Sequence, residues 1–142
     1  LKILLNKGGG NIENPGVISL WLGNFKSKEV LQKYVEIQFD EQGDRIPSQF
    51  MRDFQIDFIN YNEDLLEITF IDISTTSLQL LLEGASYYEK IISQFIDYYG
   101  EHMLESYNTV IRVYDFEYNE ANAVENKHLV YAGAVIYEEW EE

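Results

Sequence analysis

The sequence predicts a single α+β domain, with a mixed or antiparallel sheet of about four strands packed with helices and finished by a C-terminal β-hairpin. Three observations predict it. Val17–Leu22 is a continuous apolar run closed by Gly23, the pattern of a strand buried on both faces and therefore central in its sheet. Tyr88, Ile91, Ile92, Phe95 and Tyr99 recur at helical spacing and stop before Gly100. Tyr107–Tyr118 and Leu129–Trp140 read as strands with only the polar stretch Asn119–His128 between them, which makes at least part of the sheet antiparallel.

The remaining elements follow in order. Residues 1–16 hold the glycine run Gly8–Gly10 and the turn Asn14-Pro15-Gly16, and read as an N-terminal extension or linker ahead of a domain over 17–142. The glycine run lacks the Lys and Ser or Thr of a phosphate loop. Ser27 can cap a short helix from Lys28, with Glu29 in its first turn and Val30, Leu31, Tyr34 and Val35 as its apolar stripe. Asp40–Asp44 is a turn, and Pro47 and Ser48 open a second helix carrying Phe50, Met51 and Phe54 into the core. Leu65–Ile73 resumes strand composition, with Leu66, Ile68 and Phe70 on one face and Glu67 and Thr69 on a wetter one. Thr76 with Gln79, and Ser86 with Glu89, have capping-box spacing and predict two consecutive helices separated at Gly84. Tyr87, Tyr88, Tyr98 and Tyr99 straddle the stripe of the second, so one ring of each pair should pack and the other face water.

Charge narrows the function. Of the 142 residues 25 are acidic and 10 basic, a formal net charge of -15. Such a chain repels polyanions, which excludes nucleic acid as a partner. The charge is uneven: residues 1–60 hold 7 basic and 8 acidic residues, and residues 61–142 hold 3 and 17. In the second part acids interleave with aromatic residues, the composition of a docking face for a basic protein as well as of a merely soluble surface. Tyr61, Glu63, Asp64, Asp115, Glu117, Tyr118 and Glu120 are the candidate partner contacts. The run Glu138–Glu142 reads as a solvated tail.

Other chemistry has little to stand on. There is no Cys, which removes thiolate metal sites, cysteine nucleophiles and disulfides and fits the cytoplasm. No apolar run approaches the roughly 20 residues of a membrane helix, and Leu1–Asn14 lacks a signal-peptide core. His102 and His128 stand apart without companions at metal-site spacing. Asp40–Met51 starts like a calcium loop but has Arg45 where the turn needs Gly and Met51 where the bidentate Glu belongs. No nucleophile elbow or dinucleotide fingerprint is present, so the chain reads as no enzyme, with no cofactor and no metal.

Blocks of the sequence resemble the bacterial immunity protein 22 family: Val17–Phe25, then Gly43–Phe54, then Leu82–Tyr87 with the helix to Phe95, and finally Tyr107–Tyr118 and Leu129–Tyr137. The resemblance implies a small α+β protein, encoded beside a polymorphic toxin, that protects the producing cell by binding the toxin domain. Toxins of such systems are often nucleases with basic clefts, which an acidic inhibitor can plug. It implies no catalysis and no cofactor. The alternative is a non-catalytic structural or adaptor module of a homo- or hetero-oligomer. Within the first block, Trp21 and Phe25 lie where a strand ends and read as packing residues.

Overall fold

A computed structural model describes residues 11–119 and 128–138. Its main sheet has four strands, β1 (Ile12–Gly23), β4 (Leu66–Ser77), β5 (His102–Glu117) and β6 (Leu129–Ile136), in the order β4-β5-β1-β6 with every neighbouring pair antiparallel. A ribbon of β2 (Gln38–Phe39) and β3 (Arg45–Ile46) stands apart from it. Helices α1 (Lys28–Val35) and α2 (Gln49–Asp53) lie on one side of the sheet, and α3 (Leu78–Leu82) and α4 (Tyr88–Tyr99) on the other. The predicted α+β class is the observed one.

The apolar run of β1 is central because both its faces are buried. Ile18, Leu20 and Leu22 join Leu81, Ile91 and Phe95 on the α3/α4 side. Trp21 points the other way, into a cluster with Phe50, Phe54 and Tyr118. Trp21, Phe50 and Phe54 are completely buried. Their rings meet edge on, Trp21 with Phe50 at 4.9 Å and with Tyr118 at 5.3 Å between centroids, the arrangement that ring quadrupoles favour. At Gly23 an added Cβ would fall 1.7 Å from the His128 carbonyl oxygen, so only glycine lets β6 start beside the end of β1.

The C-terminal hairpin is corrected. The two closing strands do not pair with each other: β1 lies between them. Because both run antiparallel to β1, β5 and β6 run parallel to each other, β5 ending opposite Ile12 and β6 beginning opposite Gly23. A strand apolar on both faces gains most from neighbours on both edges, and β1 takes β5 and β6 as those neighbours. The linker expected over 1–16 is corrected at its end, since β1 starts at Ile12 and pairs it with Glu117.

Caps follow the sequence in the first half and depart from it in the second. Ser27 and Ser48 accept the Val30 and Met51 amides at 3.2 and 3.1 Å. Ser77, one residue beyond the expected Thr76, caps α3 through the Leu80 amide at 3.2 Å. Ser86 caps nothing. Its hydroxyl and amide both go to Glu67, and α4 starts after Tyr87, a left-handed residue with φ 62°. The turn Asp40–Asp44 is an Asx turn in which Asp40 Oδ1 accepts the Gln42 and Asp44 amides, both at 2.9 Å. Of the tyrosine pairs, Tyr88 and Tyr99 pack while Tyr87 and Tyr98 are exposed.

Candidate partner-binding surface

The acidic and aromatic residues singled out in the sequence come from two chain segments that the fold places side by side. Asn62 caps a single 3-10 turn, Glu63–Leu65, by accepting the Asp64 amide at 3.0 Å. The loop before this turn packs Tyr61 on Phe116 of β5, ring centroids 5.9 Å apart. A cleft of about 210 Å³ opens there, with Tyr61, Asn62, Asp115 and Glu13 in its wall.

Asp115 shapes this region from within. Glu13 pairs with Phe116 and Ile18 with Tyr114, so Asn14–Val17 bulges opposite Asp115 alone, and Asp115 itself is left-handed with φ 57°. Its Oδ1 accepts the Gly16 amide at 2.9 Å and the Tyr137 hydroxyl, tying the bulge to the chain end after β6. Glu117 Oε1 accepts the Asn14 side-chain amide at 3.0 Å. Glu63 pairs with Arg45 at 3.1 Å, and the same guanidinium lies 4.1 Å over the Phe58 ring. Asp64 is exposed.

The aromatic members of the set are not at the surface. Tyr61 is 4% exposed and Tyr118 1% exposed, which corrects their reading as contacts: neither ring can anchor a partner without opening the core. Burial, reinforced by Glu63, pushes the Tyr61 hydroxyl well above its ordinary value, and burial pushes Tyr118 up to about 12. Tyr118 donates to the Phe54 carbonyl at 2.9 Å, while the Tyr61 hydroxyl and the Trp21 indole N–H have no partner among the described residues. Glu120 lies outside the described residues.

Two features escaped the sequence reading. On the α3/α4 side, Arg112 is buried and its Nε and Nη2 both meet Glu67 Oε1 at 3.2 Å from the next strand. Glu67 also accepts Ser86 at 2.6 Å and Tyr114 at 3.0 Å. Burial would raise the Glu67 carboxyl, but the Ser86 and Tyr114 bonds and the Arg112 charge together hold it below its ordinary value. The Tyr114 hydroxyl is pushed up, by burial first and the Glu67 charge second. The network runs from the buried Arg112 out to Glu67, whose side chain is 35% exposed.

The second feature is a groove of about 380 Å³ where the end of α4 and the start of β5 meet β6, walled by Tyr98, Met103, Leu104, Tyr107 and Val130. Tyr98 is 63% exposed, Val130 47%, and Leu104 fully so. A signal for it existed in the pair Met103-Leu104 between Glu101 and Glu105, but β5 was expected to begin only at Tyr107.

Among the described residues no group of acids and histidines is arranged to hold a metal ion, and no helix is long and apolar enough to cross a membrane. His102 Nδ1 sits 2.9 Å from the Thr76 hydroxyl and His128 stacks on Phe25 at 5.1 Å.

Fold and surface together define a small α+β domain with a cleft at Asp115 and a groove beside α4 among its open features. The family model described as Immunity protein 22 matches residues 18–138, and the chain belongs to that family. Comparison with curated proteins and with solved structures gives no match.

Proposed function

We propose that the protein neutralises a cognate bacterial toxin domain by binding it in the cytoplasm of the producing cell, as a stoichiometric inhibitor without catalysis or cofactor. Membership of the immunity family over 18–138 is the observation that carries this reading. Charge distribution supports a basic partner, such as a nuclease domain. After Asn60 the described basic residues are Lys90, which is exposed, and Arg112, which is buried, so the outer surface of this part has little to offset its acids. Complementary charge raises the rate of encounter, and a few buried apolar anchors then hold the complex over roughly 1,600 Å² of total interface.

Calorimetric titration against the toxin domain encoded beside the gene, at low and at moderate salt, tests this directly. The expected result is one-to-one binding that weakens as salt screens the exposed charges. Absence of binding at both salt concentrations contradicts it.

A further inference from the structure

Resting on that reading, we infer that the groove between α4 and β6 is the surface that grips the toxin, and that its occupant is a basic segment presenting a large apolar side chain. The acidic cleft around Asp115 is spent on the fold: Asp115 holds the β1 bulge, Glu117 holds Asn14, and Glu63 is paired with Arg45. Burying those groups under a partner would compete with bonds already made. The groove makes no such demand.

Its walls are apolar and already fixed. Tyr98 meets Tyr99 edge on at 4.6 Å, and the Tyr99 hydroxyl donates to the Ala132 carbonyl of β6. The exposed Tyr98 ring thus stands on a neighbour that is itself anchored, so little rotamer freedom remains to be lost on binding. Gln94, a turn further back on α4, donates to the Ile136 carbonyl at 2.6 Å. With these β6 carbonyls taken by α4, contact through side chains in the groove is favoured over addition of a partner strand at this edge.

The occupant's charge follows from these surroundings. Glu105 is the charged residue that lines the groove and no Lys or Arg lines it; Asp97 and Glu101 lie outside the lining but are exposed and within three residues of Tyr98 in the chain. A largely apolar groove lined by Glu105, with exposed acids nearby in the chain and no lining Lys or Arg, matches an aliphatic or aromatic anchor flanked by Lys or Arg. A second copy of this chain would bring the same acids against themselves, which like-charge repulsion opposes.

The test compares the unmodified chain with Tyr98→Ala, Leu104→Ala and the triple variant Asp97→Asn/Glu101→Gln/Glu105→Gln, each titrated against the neighbouring toxin domain, with association and dissociation rates measured. Tyr98→Ala and Leu104→Ala should each weaken binding by about tenfold or more, mainly through faster dissociation, as loss of a buried anchor does. The triple variant should slow association several-fold at low salt and leave dissociation nearly unchanged. Folding is checked by thermal unfolding, since the altered side chains are exposed. If the unmodified chain binds and all three variants bind as it does, the groove is overturned while the immunity reading stands. If the unmodified chain does not bind, both fall. If instead it self-associates and Leu104→Ala abolishes that, the groove is a homotypic interface and the inference is overturned.

Discussion

The two sides of the sheet solve the same problem differently. On the α1/α2 side, short helices and loops cover the sheet with rings: Trp21, Phe50, Phe54 and Tyr118 lock edge to face, and nothing large in that cluster reaches solvent. On the α3/α4 side the core is mainly aliphatic, the ion pair Arg112–Glu67 replaces part of it, and the layer ends in exposed Tyr98 and Leu104. The ring cluster around Trp21 is thus used for closure, whereas Tyr98 on the other side is left available, as Phe39 is in the β2–β3 ribbon. An exposed ring on an anchored neighbour is surface the fold does not need, and the toxin-binding role is proposed for that surface.

Substitutions should separate the sides by magnitude. Trp21→Ala empties the centre of the ring cluster and should cost about 3–5 kcal/mol in denaturant unfolding, enough to threaten the native state. A cost below about 1 kcal/mol would mean that this side is loosely packed, and would break the comparison. Glu67→Gln leaves the buried Arg112 without its counter-charge. A broken buried pair costs about 3–5 kcal/mol, but the Glu67 side chain is 35% exposed, so solvent screening brings the expectation to about 1–3 kcal/mol.

That pair also gives the α3/α4 side a pH signature. The Glu67 carboxyl lies below its ordinary value of 4.5 in the folded chain, so its contribution is fully present above that value and is lost as pH falls through the folded one. Thermal unfolding followed from neutral to acid pH should therefore show a shallower acid decline in Glu67→Gln than in the unmodified chain. Parallel curves would remove Glu67 from the acid response.

Smaller effects follow at the surface. Asp115→Ala loses the acceptor for the Gly16 amide and the Tyr137 hydroxyl and should cost about 1–2 kcal/mol, which marks the cleft as structural. Tyr98→Ala and Leu104→Ala should change stability by no more than about 0.5 kcal/mol, as exposed positions do. Were either to destabilise strongly, the groove would belong to the core and not to a partner.

Much of this architecture was legible. The β1 run, the α4 stripe and the Ser27 and Ser48 caps are local signals, set by residues within a few positions of each other, and each lies where expected. What was not legible depends on distant partners. Ser86 has the spacing of a cap, but Glu67, 19 positions away, offers its amide and hydroxyl a carboxylate. Two successive strands suggest a hairpin, and only the demand of β1 for two neighbours separates them. Tyr61 and Tyr118 sit in acidic stretches that read as surface, yet their rings fill the aromatic layer, Tyr61 packed from its loop on Phe116 and Tyr118 on Trp21 with its hydroxyl on the Phe54 carbonyl. Acid and aromatic interleaving marks an interface only where the rings point outward, and sequence spacing does not give that direction near a bulge such as the one at Asp115.

Amide hydrogen exchange, compared between the free chain and its complex with the neighbouring toxin domain, tests the central claim most directly. The account predicts added protection from Tyr98 through Ser106 and at Val130–Ala132, with the 59–64 loop unchanged. Protection confined to that loop and to Glu13–Gly16, with the groove exchanging as in the free chain, would contradict it.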